Sequence, residues 1–106
     1  MIITDENKFG LTHEEREIIH KIFRTYPEIK QVNIYGSRAK GNWKAGSDID
    51  LVILDENIGS ETLWKLKEAF EDSLLPYFVG LQRFSELPES DYKSHIERVG
   101  QPFYRR

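Results

Sequence analysis

The segment of this chain best suited to chemistry runs from Gly36-Ser37, across ten residues, to Asp48-Ile49-Asp50. The two acids open the apolar run Leu51-Val52-Ile53-Leu54, which reads as a buried strand. Residues two apart on a strand share a face, at about 6–7 Å along the chain. Two carboxylates there repel by roughly 3 kcal/mol at an effective dielectric near 20, about two pKa units. A divalent cation reverses that repulsion, because hard cations take carboxylate oxygens, and magnesium shares its shell with substrate phosphates. Asp48 and Asp50 are therefore the candidate metal ligands and catalytic acids. A solvated loop is the plainer reading of an isolated Asp-x-Asp.

The upstream turn weighs against that plainer reading. Gln31 to Tyr35 and Ile49 to Leu54 both read as strands, which brings the turn and the acids to neighbouring strand ends. Gly36 permits close backbone approach, and Ser37 offers a hydroxyl. Arg38 to Trp43 reads as a turn or short helix whose first amides suit phosphate. The candidate nucleotide-binding residues are Gly36, Ser37, Arg38 and Ser47. Arg38, Lys40 and Lys44 supply positive charge for a small anion such as a nucleoside triphosphate.

The elements that must position these residues can be read in order. Thr12 and Glu15 form a capping box for a helix with Ile18, Ile19, Ile22 and Phe23 on one face, ended by Pro27. A strand follows from Gln31, with Val32 and Ile34 alternating. Ser60 is the expected cap of a helix carrying the stripe Leu63, Leu66, Phe70 and Leu74. Tyr77 to Phe84 reads as a third strand. A last helix starts at Ser90 or Asp91 and stops at Gly100 and Pro102. The fold class is α+β, a two-layer arrangement with a small mixed sheet packed against helices. His13, His20 and His95 fall on helices without metal-ligand spacing and read as surface residues.

The whole chain bounds the answer. Its 106 residues fit one domain, 1–106, with 39% apolar and 31% charged residues. No apolar run is long enough to span a membrane. The start, Met1 to Glu6, lacks the pattern of a secretory signal, and there is no cysteine for disulfides or thiolate zinc sites. These features are compatible with the cytoplasm. The net charge of −3 argues against a long nucleic-acid partner.

At this point the residues resemble a known family. Gly36-Ser37, the ten-residue gap and Asp48-x-Asp50 are similar to the signature of polymerase-beta-type nucleotidyltransferases, and the length resembles the minimal nucleotidyltransferases. Leu75 to Val79 and His95 to Gly100 extend the resemblance over nearly the whole chain. It implies ATP as substrate with magnesium, the triphosphate at Gly36 and Ser37, and metals at Asp48 and Asp50. It also implies an antitoxin partnered with a HEPN-domain toxin, moving AMP to a protein hydroxyl. Self-association stays open. The resemblance further implies a third acid on the third strand, where this chain has Gly80. Gln82 shares that face but is neutral, and Glu86 would need another register. The alternative is therefore a catalytically weakened, nucleotide-binding antitoxin or interaction module that acts by contact.

Overall fold

A computed structural model describes residues 8–106. The reading of the first six residues lies outside them. Helix α1 spans His13–Arg24 behind the expected capping box: Glu15 N–H donates to Thr12 Oγ1 at 3.1 Å, and Thr12 N–H donates to Glu15 Oε1 at 2.9 Å. Ile19 and Phe23 are fully buried. Strand β1 is Gln31–Tyr35, the short helix α2 is Gly36–Lys40 and strand β2 is Ile49–Ile53. Helix α3 is Ser60–Glu71. Its N-cap is Gly59 rather than Ser60, and no side chain caps it. The expected stripe holds for Leu66 and Phe70, but Leu74 lies beyond the helix and is 91% exposed. The chain turns away first, with the Ser73 hydroxyl donating to the Phe70 carbonyl.

Strand β3 is Val79–Arg83, shorter than the sequence suggests, because Phe84–Glu86 winds into a single 3-10 turn. Helix α4 is Asp91–Val99, with Ser90 as its cap. Strand β4, Gln101–Arg105, then follows where the sequence reads as a stop. The strand order is β3-β2-β1-β4, with β2 and β3 parallel and the other pairs antiparallel. Pro102 is tolerated because β4 is an edge strand, where a missing N–H costs little. The β1–β4 register shifts between Val32 and Asn33. Through that irregularity the consecutive residues Phe103 and Tyr104 both reach the same core, which strict alternation would forbid.

One sheet face carries Val32, Ile34, Leu51, Ile53 and Leu81 in a core shared with Phe23 of α1 and with Leu66 and Phe70 of α3. The opposite face carries Tyr35 and Val52, packed with Ile96 of α4. This is the expected mixed sheet packed against helices. His20 is half-buried rather than on the surface: Nε2 lies 2.9 Å from the Phe103 carbonyl, and the ring meets Phe103 edge-on. Burial, set against that hydrogen bond, lowers its pKa.

Candidate active site

The C-terminal end of β1 and the N-terminal ends of β2 and β3 meet at one margin of the sheet. Register places Tyr35 opposite Asp50, and Asp50 beside Gly80. These three residues share one row and one face. Asp48, two residues before Asp50, is exposed at the mouth, while Asp50 is half-buried.

Glycines flank Asp50 on two sides. Gly36 turns the chain from β1 into α2 with φ +76°, a region that favours glycine. A Cβ at Gly36 would collide with Asp50 Oδ2. A Cβ at Gly80 would stand 3.3 Å from Asp50 Oδ1. Position 80 therefore faces Asp50, as the resemblance requires of a third acid. Glu86 lies past the far end of β3, where its carboxylate is 3.7 Å from Arg83 Nη2.

Neither Asp48 nor Asp50 accepts a hydrogen bond from a described residue. Burial, and then the charge of Asp48, raise the Asp50 pKa, partly offset by Arg38. Two unpartnered carboxylates close enough for the charge of one to act on the other, with hydrogen atoms in place of side chains beside Asp50, have the chemistry of a hard divalent cation site such as one for magnesium. Among the described residues, no group of three His, Cys, Asp or Glu side chains could hold a metal ion. A bound ion would thus draw two ligands from the protein and the rest from water and phosphate.

Two of the expected nucleotide-binding side chains have other tasks. Arg38 is only 2% exposed. Its Nε and Nη2 donate to the Ser47 carbonyl at 3.1 and 2.7 Å, and Nη1 donates to the carbonyls of Phe9 and Gly10 at 3.0 and 3.1 Å. The guanidinium also stacks over Tyr77, 4.5 Å from the ring centroid. It is a strut for the loop before Asp48, not an open phosphate ligand. The Ser47 hydroxyl accepts Lys44 N–H at 2.8 Å, closing the turn that delivers the acids. Ser37 keeps a hydroxyl with no hydrogen-bond partner among the described residues, and Lys40 and Lys44 remain exposed.

A test separates strut from ligand. Arg38→Met should lower stability by about 3 kcal/mol, the scale of hydrogen bonds made by a charged group. The shift is read from the urea midpoint. A phosphate ligand would instead leave that midpoint unmoved.

Sequence reasoning missed Tyr35 and Tyr92. Gln82 Nε2 donates to the hydroxyl of Tyr35 at 2.8 Å and to that of Tyr92 at 3.0 Å. Burial first, and then the Tyr92 hydroxyl, push the Tyr35 pKa far up. Strand parity could have found Tyr35, which directly precedes Gly36 on the polar face of β1. A groove of about 540 Å³ opens between α3 and β3, lined by Phe70, Leu75, Tyr77 and Phe78 as well as Gly80 and Gln82; of the residues just described, Gln82 alone lines it.

A mixed sheet ending in a glycine-serine turn next to paired carboxylates defines an α+β domain of the nucleotidyltransferase type. The chain belongs to the family described as Polymerase beta, Nucleotidyltransferase, which matches residues 17–106. It is 33% identical over 98 residues to the probable protein adenylyltransferase MntA of Haemophilus influenzae, spanning 92% of this chain and 85% of that one. Two solved structures share its fold. A toxin-antitoxin crystallised with AMP-PNP matches with a TM-score of 0.68 at 19% identity, over 86% of this chain and 73% of the other. The MntA-HepT toxin-antitoxin matches with a TM-score of 0.62 at 17% identity, over 86% and 70%.

Proposed function

We propose that this protein binds ATP with magnesium and transfers AMP to a hydroxyl of a protein partner, a HEPN-type toxin, for which it serves as antitoxin. The observation that carries this reading is the pair Asp48 and Asp50 set against the Gly36-Ser37 turn. The similarity to an adenylyltransferase-named protein and the fold shared with toxin-antitoxin structures support it. No helix among the described residues is long and apolar enough to cross a membrane, and we place the reaction in the cytoplasm.

In nucleotidyl transfer a hydroxyl oxygen attacks the α-phosphorus in line, the bond to the bridging oxygen breaks and pyrophosphate leaves. Magnesium, when bound, offsets negative charge on the phosphates and the entering oxygen. The chain's own residues do the positioning. Asp48 and Asp50 hold the ion at the strand start, and the Gly36-Ser37 backbone and Ser37 hydroxyl hold the outer phosphates. The groove beside Gly80 leaves room for the acceptor. A second reading, a weakened transferase that acts by contact, is favoured by Gly80, which leaves the acceptor side without a base.

Titration of ATP with and without magnesium tests the site. Magnesium should tighten ATP binding to the parent, and Asp48→Ala should reduce that gain by about tenfold or more, at least the loss that follows when a group supporting a metal ligand is removed. Equal affinities in all four titrations would refute the metal-nucleotide site. Labelled ATP with the partner protein then separates transfer from contact.

A further inference from the structure

The sheet face that carries Asp50 holds a second polar group that the transfer chemistry leaves unused. Gln82 lies two residues beyond Gly80 on that face, and both line the same groove. Its two amide hydrogens are spent on Tyr35 and Tyr92. Its Oε1 accepts no hydrogen bond from a described residue. The two tyrosine hydroxyls are 3.4 Å apart, so one can donate to the other. Tyr35 is 6% exposed, and the Tyr92 oxygen is an acceptor within reach of its O–H. Either hydroxyl can donate across that contact; when Tyr35 does, the O–H of Tyr92, which is 51% exposed, is left for a group outside the protein. An outward donor next to an unspent carbonyl acceptor complements a hydroxyl, which both accepts and donates.

We propose that Tyr92 and Gln82, braced by Tyr35, form a hydroxyl-binding subsite beside the Asp50 cleft. The hydroxyl it takes belongs either to the transfer acceptor or to the sugar of the nucleotide. The subsite rests on the nucleotidyl-transfer reading. Tyr92 and Gln82 then contact a substrate hydroxyl directly and orient it, without touching the reacting phosphorus.

Tyr92→Phe keeps the ring and deletes the donor, and Gln82→Leu deletes the acceptor. Calorimetry with ATP, 2′-deoxy-ATP and 3′-deoxy-ATP in magnesium reads the sugar arm. There the parent should favour ATP over one deoxynucleotide by about fivefold, the worth of one hydrogen bond, and both variants should lose that preference. Magnesium-dependent transfer from labelled ATP to N-acetyltyrosinamide reads the acceptor arm. There Tyr92→Phe should raise the acceptor KM by about fivefold with kcat little changed. Either result supports the subsite and identifies its source. If neither readout moves in either variant, the cluster only pins α4 to the sheet and the proposal is overturned. If the parent binds no ATP at all, the nucleotide reading fails first, and the subsite fails with it.

Discussion

Gly80→Asp should raise nucleotidyl transfer by at least about 10²-fold, the low end of what a positioned general base contributes. The register puts position 80 beside Asp50, and its Cβ would stand 3.3 Å from Asp50 Oδ1. Backbone strain does not oppose the change, since Gly80 is not among the positive-φ residues. The carboxylate of Asp50 has only to move by a few tenths of an ångström. The new carboxylate would then face the groove from the third strand, next to the two already present. Charge repulsion sets a second, independent signature. Carboxylates about 4 Å apart repel by about 4 kcal/mol at an effective dielectric of 20. The variant should therefore melt lower than the parent without magnesium and recover more when magnesium is added. Affinity for Mg-ATP should change little, because the Gly36-Ser37 turn proposed to hold the phosphates is untouched. Robust transfer by the parent, with no gain in the variant, would mean that another group activates the acceptor and would defeat this account of Gly80.

Gly36→Ala should weaken magnesium-dependent ATP binding by about 10–100-fold, the range seen when a group that orients a metal ligand is altered. Two costs combine at this position. A side chain at φ +76° is strained by roughly 1–2 kcal/mol. The added Cβ would also occupy the space of Asp50 Oδ2. The carboxylate must rotate away, and the proposed metal position would move with it. Gly41→Ala provides the control. Gly41 also has a positive φ, +88°, but a Cβ there meets nothing within 4 Å. That variant should lose stability and keep its affinity. Equal loss of ATP binding in both variants would assign the effect to backbone strain alone.

Much of the local architecture is legible in the sequence because it depends on neighbours in the chain. The Thr12–Glu15 capping box needs only residues three apart. The alternation of Val32 and Ile34 and the apolar run after Asp50 mark strands without reference to any partner. The Gly36-Ser37 and Asp48-x-Asp50 spacing identifies the candidate site for the same reason, since one turn and one strand start carry all four residues. Strand β4 was not legible. Gly100 and Pro102 are ordinary helix terminators, and the register shift that buries Phe103 beside Tyr104 exists only once β1 is alongside.

Arg38 and Gly80 show the same boundary within the site. Nothing local distinguishes an arginine that meets phosphate from one whose guanidinium is buried against the carbonyls of Phe9, Gly10 and Ser47. The first two of those lie 29 and 28 residues away. The sequence by itself marked the candidate acids, the glycine-serine turn before them and the absence of an acid at position 80. Only the tertiary structure decided that Gly80 abuts Asp50, that Arg38 is a strut, and that Tyr35, Gln82 and Tyr92 share hydrogen bonds. The physical reason is that strand pairing and burial join residues far apart in the chain, and no short-range pattern of charge or hydropathy encodes which of them will meet.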